Sequence, residues 1–420
     1  MTRRWWTALA ALCVALGMQL VTPPAQALVS TTPAPMEQTN GPVWASEIAG
    51  GRIYVGGAFT STRPAGAAAG TNESGQAHLV AMDASTGRRI TGFAPVLRNT
   101  WDGSPGTVHA MALSPDKATL YVGGDFNEVN GQKAEHLAAF DTATGRFLGQ
   151  VGWNGVNGSV RALDVSPDGT TLYVGGIFSA ANWSSRDRLA AFDLAGGGLT
   201  SWQPKMSVAV PGEGLRPTAL AVSGDGAKVF VGGTFQQMNG VAHQGVAAVN
   251  GTTGANASGF GRSYLLAPTN WATTLEVADG VLYMGGRDDR SGSSSRKEGV
   301  QAITVSNGQV RWFARCYGDT FDVLVQGSDV YVASHAHDCS AAGGFGETNP
   351  RTYVAMHVLD RSTGRVRSGF QVTTTGTTAN QDSLLLSRTL ASDGSQVVMG
   401  GGFDWVQNQR QANITRFTAR

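Results

Sequence analysis

The chain has 420 residues, of which 57 are glycine and only 15% are charged. This composition is unusual for a helical protein and ordinary for short strands joined by tight turns. The 31 basic and 30 acidic side chains nearly balance, so charge gives no general attraction to nucleic acid or to an anionic membrane.

The N-terminal segment has the features of an export signal. Two arginines precede an apolar run from Trp5 to about Val21, and residues 25–27 supply a small-x-small cleavage site. Such a segment is removed and takes no part in the fold. We therefore expect residues 1–27 to be a secretory signal peptide and residues 28–420 to form a single domain. The mature protein is expected to be secreted and extracellular, without a membrane span.

A phrase of the type Tyr-Val-Gly-Gly-x-Phe recurs along the chain at spacings of 48 to 67 residues. Before most copies, a strand-like alternation ends in a turn such as Ser166-Pro-Asp-Gly169, which would close a hairpin. The phrase itself is therefore predicted to be the second strand of each unit. A residue present in every unit is expected to build the unit, so departures from the template point to function. The copies begin at Tyr54, Tyr121, Tyr173, Phe230, Tyr283, Tyr331 and Val398.

Each unit continues in the same way. A third strand such as residues 137–141 follows a variable loop, and a Thr-Gly turn then leads into a more polar outer strand. Four antiparallel strands in each of seven units predict an all-β, seven-bladed β-propeller. The chain ends at a third strand, residues 414–417, so the last unit lacks its outer strand. We expect residues 29–36 to pair with the last unit and close the ring, which would leave no long exposed sheet edge.

The repeat resembles a known family. Residues 120–131, Leu-Tyr-Val-Gly-Gly-Asp-Phe-Asn-Glu-Val-Asn-Gly, followed by Leu-Ala-Ala-Phe-Asp at 137–141, are similar to the delta-60 repeats of secreted bacterial β-propellers, especially those of actinobacteria. The resemblance covers essentially all of residues 42–420. It implies the propeller fold but little about activity, because the family is largely without assigned function and propellers host binding proteins and enzymes alike.

Two neighbouring units break the template at the same end of the second strand. In unit five the closing Phe becomes Asp288, which lies between Arg287 and Asp289. In unit six the Gly pair and the two residues after it become Ala-Ser-His-Ala at 333–336. Because polar groups replace a buried aromatic in adjacent units, we expect these residues to lie side by side. The predicted binding residues are Arg287, Asp288, Asp289 and His357, the last on the third strand of unit six.

The broken phrase of unit six also suggests chemistry. His335, His337 and Cys339 alternate in sequence, so an extended strand would place all three on one face. Two His residues at this spacing can bind a divalent metal with a carboxylate from the preceding strand, or can act as acid and base. The candidate metal ligands are His335, His337 and Asp319 or Asp322, and the candidate catalytic residues are His335, His337 and Asp338.

A plainer interpretation rests on the cysteines. Loss of Cys13 with the signal peptide leaves Cys316 and Cys339, an even pair in an oxidising compartment, which predicts a disulfide. The bond would close a loop of 23 residues and stabilise the unit by roughly 3 kcal/mol. The histidines would then only form hydrogen bonds around it, and both interpretations can hold together.

The other histidines are predicted to be structural. His78 and His136 occupy equivalent positions just before a third strand, as expected of repeat residues. His109 and His243 have no acidic neighbour in the sequence.

Several tryptophans lie in connections or outer strands, where an indole ring could stack on a sugar. Packing between blades is the commoner use of such residues. We therefore predict a monomeric binding or surface-interaction module for a glycan or a cell-surface component. The alternative is a metal-assisted or acid/base hydrolase or lyase that uses the unit-six histidines on an extracellular polysaccharide. The tryptophans concerned are Trp101, Trp153, Trp183, Trp202, Trp271, Trp312 and Trp405.

Overall fold

The structure is a computed structural model that describes residues 28–101, 103, 106–260, 269–288, 298–376 and 386–419. The regular secondary structure of the described residues consists of β-strands and a single 3₁₀ turn at Ser340–Ala342, joined by turns and loops. None of their helical segments is long and apolar enough to cross a membrane. The predicted signal peptide, residues 1–27, lies outside the described residues.

Each copy of the phrase forms a strand inside its own antiparallel sheet. The first strand of the unit pairs with one edge of the phrase strand and the third strand pairs with the other. Seven such sheets occur in the described part of the chain. The first strands are Val43–Ala49, Thr107–Leu113, Val160–Val165, Pro217–Val222, Asn270–Ala278, Thr320–Gln326 and Thr389–Ser392. The phrase strands are Arg52–Gly57, Thr119–Asp125, Thr171–Gly176, Lys228–Gly233, Val281–Asp288, Asp329–Ala336 and Gln396–Gly400. The third strands are Leu79–Asp83, Leu137–Asp141, Leu189–Asp193, Val246–Asn250, Gly299–Thr304, Val354–Asp360 and Ile414–Thr418.

The fourth strand is less regular than the sequence predicts. Within the described residues it is complete in units two, five and six, whereas in units one, three and four it shrinks to a single bridge such as Phe192 with Leu199. Pro95 and Pro204 follow the bridges of units one and three, and proline donates no N–H to a ladder. The complete fourth strands are Phe147–Gln150, Val310–Arg315 and Val366–Thr375.

Additional short strands lie beside the seven main sheets and form small hairpins after the phrase strands, which we call the rim hairpins. These strands are Gln38–Thr39, Ser61–Arg63, Ser74–Gly75, Leu97–Arg98, Glu128–Val129, Gln132–Lys133, Ala180–Ala181, Ser184–Ser185, Met206–Ala209, Phe235–Met238, Val241–Ala242, Trp405–Val406 and Gln409–Arg410.

The glycine pair of the phrase permits two close approaches. A Cβ on Gly123 would lie 2.4 Å from Cγ1 of Val160, on the first strand of the next sheet. A Cβ on Gly124 would lie 1.9 Å from the carbonyl oxygen of Thr107, on the first strand of its own sheet. The first glycine therefore lets neighbouring sheets touch, and the second lets the first strand lie close to the phrase strand.

Unit six keeps the close contact with larger residues. Ala333 and Ser334 replace the glycine pair, and the next sheet carries Ser387 at the position that Val160 holds in the third sheet. The buried Ser387 hydroxyl lies within hydrogen-bond distance of two carbonyl oxygens, those of Ala355 (2.7 Å) and Ser334 (3.1 Å), and can donate to one of them at a time. A smaller partner thus compensates for the added methyl group.

The tyrosine that opens the phrase ties neighbouring sheets together. The Tyr54 hydroxyl donates to the carbonyl oxygen of Thr142 (2.6 Å), and the Tyr173 hydroxyl donates to that of Gly251 (2.8 Å). The Tyr173 ring also packs edge-on against Trp202, with ring centroids 5.1 Å apart. These contacts explain why the repeat keeps an aromatic residue at this position.

The first strands contact one another in a circular order. Val160–Val165 contacts Thr107–Leu113 on one side and Pro217–Val222 on the other. Thr389–Ser392 likewise contacts both Thr320–Gln326 and Val43–Ala49. All seven described first strands contribute to the lining of one cavity of about 630 Å³.

The N-terminal segment lies beside the last sheet. Val29 forms a bridge with Ala419, and Ala34 forms one with Arg416. These contacts lie along the edge of Ile414–Thr418 that does not pair with Gln396–Gly400.

We expect the substitution Gly123→Ala to lower the free energy of unfolding by about 1–3 kcal/mol, because its Cβ would overpack the contact with the next sheet. Denaturant unfolding measures the change. Gly75→Ala is the control, since a Cβ there meets no atom within 4 Å. Equal losses in the two variants would contradict the importance of this contact.

Candidate functional site

A β-bulge near the start of the first strand presents an extra side chain at one end of the cavity. In the third sheet the register shifts between Val160 and Ala162, which leaves Arg161 unpaired in the ladder. Bulges of this kind re-aim a side chain. Five further described sheets have the same shift. The bulge residues are Trp44, His109, Arg161, Thr218, Thr273 and Phe321, and Arg388 holds the equivalent position in the seventh sheet; we call these seven the mouth ring.

Two arginines at this end of the cavity lie over aromatic rings. The guanidinium carbon of Arg388 is 4.2 Å from the ring centroid of Phe321 and 5.7 Å from that of Trp44. Arg287 lies 5.3 Å from the ring centroid of Trp271. Cation–π contacts of this kind hold a guanidinium group in a fixed orientation.

His335 lies among aromatic rings and is uncharged at neutral pH. Its ring centroid is 5.6 Å from that of Phe321 and 5.9 Å from that of Tyr353. Nε2 accepts a hydrogen bond from the backbone N–H of Asp319 (3.3 Å), and Nδ1 is buried without a hydrogen-bond partner among the described residues. Burial, reinforced by His337 and nearby arginines, lowers the pKa of His335 to about 4. At pH 7 this imidazole is a weak general base and cannot serve as a general acid.

His337 shares an aromatic neighbour with His335. Its ring packs edge-on against Tyr353, with centroids 5.9 Å apart, and stacks on Tyr317 at 6.4 Å. Nδ1 of His337 lies 3.8 Å from a carboxylate oxygen of Glu347. The structure therefore brings the two predicted histidines to one side of the strand end.

Among the described residues, Asp338, the third predicted catalytic residue, forms hydrogen bonds with the backbone and not with the two histidines. Its Oδ1 accepts a hydrogen bond from the backbone N–H of Ser340 (2.9 Å) at the start of the 3₁₀ turn, and its carbonyl oxygen accepts one from Tyr317 (2.8 Å). The carboxylate thus stabilises the turn.

The predicted disulfide between Cys316 and Cys339 is present, and both residues are buried. The phrase strand ends at Ala336, and Cys339 packs with Ala336 in a small core cluster. Because the chain turns there, Cys339 does not share the face of His335, unlike in the extended strand that the spacing suggests. His357 lies behind the disulfide, with Nε2 3.7 Å from Sγ of Cys316, and burial lowers the pKa of its imidazole to about 4.

The geometry gives little support to a metal site. In the described part of the chain, one group of three His, Cys, Asp or Glu residues has potential ligand atoms that all lie within 4.8 Å of one another, and it consists of Cys316, Cys339 and His357. Both sulfurs are in the disulfide, whereas a metal binds the thiolate. His335, His337 and Asp319 form no such group among the described residues.

The acidic residues predicted around this site are placed as follows. Asp319 is buried, and its Oδ2 lies 3.3 Å from Nε of Arg287. Asp322 contributes to the wall of the cavity. Asp288 ends its phrase strand with its backbone opposite Asn270, while its side chain and the whole of Asp289 lie outside the described residues.

His109 has an acidic partner that the sequence analysis missed. Its Nε2 is 2.7 Å from Oδ2 of Asp125, and Nη2 of Arg161 lies 3.5 Å from the same oxygen. Burial is the main cause that lowers the pKa of His109, although Asp125 opposes it. Asp125 fills the variable position of its phrase. Pairing the start of each first strand with the end of its phrase strand in the sequence would have predicted this contact.

Carboxylates in the cavity wall join neighbouring first strands. A first strand is the edge of its sheet, and its unpaired N–H groups need acceptors. The acceptors are Asp164 for the N–H of Val222 (2.7 Å), Glu276 for that of Val325 (2.8 Å) and Asp322 for that of Leu390 (2.7 Å).

Burial changes the ionisation of these carboxyl groups. It raises the pKa of Asp164 and Asp322 to about 6. It raises the pKa of Glu276 and of Glu47, which also lines the cavity, to about 8, and the charge of Asp322 adds to this rise. Of these four carboxyl groups, only Asp322 is singled out by the sequence pattern.

The tryptophans divide by exposure. Trp202 and Trp271 are buried, and Trp312 packs against Tyr283 with ring centroids 5.9 Å apart. The half-buried Trp405 lies under Arg410, whose guanidinium carbon is 4.6 Å from the ring centroid. Three indole rings remain largely open to solvent: Trp101 at 61%, Trp153 at 70% and Trp183 at 80% exposure.

Comparison with known proteins agrees with the architecture. Residues 88–209 match the family model of the Rax2 C-terminal beta propeller domain. The WD40 repeats of RRP9 are similar in structure, with a TM-score of 0.56 and 11% identity over 94% of this chain and 99% of that chain. The chain is a β-propeller. U3-55K gives a TM-score of 0.53 and 10% identity over 92% of this chain and 100% of that chain.

These likenesses concern the fold alone, because propellers with such low identity can differ in every functional residue. No curated protein matches the sequence. The function of this propeller must therefore be argued from its own side chains.

Thermal stability should fall as the pH rises through the neutral range. Glu47 and Glu276 have a folded-state pKa of about 8 against an ordinary value of 4.5, so the folded state binds their protons more tightly than the unfolded state. The stability that these protons contribute is complete below about pH 4.5 and is lost as the pH rises through about 8.

The double substitution Glu47→Gln/Glu276→Gln mimics the protonated groups and should remove most of the fall in melting temperature above about pH 6, where Asp164 and Asp322 have largely ionised. Glu128→Gln, outside the cavity wall, is the matched control and should follow the unmodified protein. An unchanged slope in the double variant would show that these carboxyl groups do not titrate as described.

We expect Cys316→Ser/Cys339→Ser to lower the free energy of unfolding by about 3 kcal/mol, because the bond closes a loop across 23 residues of sequence. Denaturant unfolding with and without dithiothreitol measures this effect. The reductant should destabilise the unmodified protein and leave the double variant unaffected. A double variant as stable as the oxidised parent would rule out this contribution.

Proposed function

We propose that the protein is a secreted, monomeric, seven-bladed β-propeller that binds an extracellular glycan or another cell-surface component at the mouth ring. The circular order of contacts among the first strands supports seven blades. The bridges of Val29 and Ala34 to the last sheet support closure by the N-terminal segment. The signal-like residues 1–27, the disulfide and the delta-60 resemblance support export.

The variety of side chains at the bulge position is the observation that supports a binding role. The bulge position recurs from sheet to sheet, but its residues range from tryptophan and arginine to threonine. The glycines beside it recur because they build the frame. Recognition surfaces are often built in this way, with a constant backbone scaffold that positions side chains which differ from repeat to repeat.

The chemistry of the mouth favours an acidic saccharide. The half-buried Trp44 offers an aromatic surface that suits the C–H face of a sugar ring, whereas Phe321 is buried beneath Arg388. Arg388 lies over both rings, and a guanidinium group matches the geometry of a carboxylate. We therefore infer that the ligand carries a carboxylate, as a uronate does.

The enzyme alternative has weaker support. His335 has a pKa of about 4, which is far from the value that suits acid/base catalysis at neutral pH. The Asp338 carboxylate accepts a hydrogen bond from the backbone of a turn, and His357 lies in the core. These groups do not converge as a hydrolase or lyase requires.

Calorimetric titration with hexagalacturonate tests the proposal. We expect Arg388→Gln to weaken binding at least about tenfold, because a hydrogen-bonded ion pair contributes about 1.5–3 kcal/mol. Arg410→Gln is a matched control, since Arg410 also lies over a tryptophan ring, that of Trp405, but outside the mouth ring. Maltohexaose, which has no carboxylate, should bind Arg388→Gln and the unmodified protein alike. Binding of hexagalacturonate that is absent, or that survives Arg388→Gln, would refute this site.

A further inference from the structure

A tryptophan occupies a glycine position in one rim hairpin. The equivalent hairpins of units two and four turn at Asn130-Gly131 and Asn239-Gly240. Both residues of each turn have positive φ, between 50° and 77°, as a type I′ turn requires. In unit three the turn is Asn182-Trp183, with φ values of 43° and 64°. Trp183 therefore adopts a backbone conformation that favours glycine.

Packing does not compensate for this conformation. The left-handed region is unfavourable for a bulky side chain, and the Trp183 side chain is 80% exposed. A strained residue that forms almost no core contact is a reason to look for a function. The exposed apolar surface of the indole ring adds a second cost in water.

A second exposed tryptophan is fixed beside this turn. Trp153 is 70% exposed, and its Nε1 donates a hydrogen bond to the carbonyl oxygen of Gly196 (3.2 Å). The indole lies on a glycine-rich segment, since a Cβ on Gly197 would be 3.2 Å from Nε1 and 3.3 Å from Cδ1. A ring that is already immobilised loses little entropy when a ligand stacks on it.

Polar groups lie next to the two rings. The backbone N–H of Asn154 donates to Oδ1 of Asn182 (3.0 Å), which links the segment of Trp153 to the turn of Trp183. Nζ of Lys133 lies 5.6 Å from the ring centroid of Trp183 and 3.1 Å from Oδ1 of Asn154. Glu135 lies 3.6 Å from the same ammonium group, so the surface carries little net charge.

We propose that Trp153 and Trp183 form a stacking platform for the pyranose rings of a neutral polysaccharide, with Lys133 and Asn154 as hydrogen-bonding partners of its hydroxyl groups. Flat aromatic faces beside amide and ammonium groups match a ligand with an apolar C–H face and a polar edge. A lipid surface would instead favour an apolar face with a strongly basic rim. The platform shares no residue with the mouth ring and does not depend on it.

Titration of intrinsic fluorescence with cellohexaose, chitohexaose and mannohexaose tests the platform. We expect at least one of these neutral oligosaccharides to quench the indole emission, and Trp183→Gly and Trp153→Ala each to weaken its binding at least about tenfold. Trp183→Gly restores the Asn-Gly turn, so its melting temperature should stay unchanged or rise by about 1–3 °C. Loss of binding without loss of stability separates the proposed role from a structural one.

Two controls sharpen the test. Trp101→Ala removes another exposed indole outside the platform and should leave the affinity unchanged, as should Arg410→Gln, which lies outside both the platform and the mouth ring. The proposal is wrong if none of the three oligosaccharides binds, if the platform variants bind as tightly as the parent, or if Trp183→Gly lowers the melting temperature. Binding to phosphatidylcholine vesicles that is lost in the platform variants, without oligosaccharide binding, would assign the surface to a membrane interface and also overturn it.

Discussion

The contact between the first glycine of a phrase and the first strand of the next sheet is the constraint on which this fold depends. At Gly123 even a methyl group would meet Val160 at 2.4 Å, so the two sheets can lie this close only where a side chain is missing. The tyrosine hydroxyls and the cavity carboxylates then join the same neighbours by hydrogen bonds. In unit six Ala333 replaces this glycine, and the next sheet carries the small Ser387 at the position that Val160 holds in the third sheet.

The same packing separates the residues that build the propeller from those available for recognition. The second glycine lets the carbonyl group of the first strand approach, and the bulge beside it turns one further side chain towards the mouth. That side chain can vary without disturbing the glycine contact. The cavity wall contains carboxyl groups that are partly protonated near neutral pH. At the mouth of the same cavity, arginines lie over aromatic side chains.

Much of this architecture can be predicted from the sequence, since turns, alternation and repeated glycines are local signals. The β-propeller fold and the disulfide are confirmed. The bulges escaped prediction because they lie within the first few residues of short strands, so too few residues precede them to show the change of phase that the extra residue causes. The pairing of His109 with Asp125 and the hydrogen bond from Val222 to Asp164 depend on contacts between strands. The spacing predicts that Cys339 lies on the same face as His335. The strand ends at Ala336, however, and the turn that follows breaks the alternation of side chains between two faces.

The bulged ends of the first strands, which carry the mouth ring, are the proposed site of ligand recognition. Hydrogen–deuterium exchange with and without hexagalacturonate tests this site, because a bound ligand slows the exchange of the backbone amides that it covers or stabilises. Recognition at the mouth ring predicts slower exchange around Trp44, Phe321 and Arg388, at the starts of three first strands. Protection confined to other parts of the propeller, or no protection at saturating ligand, would contradict it.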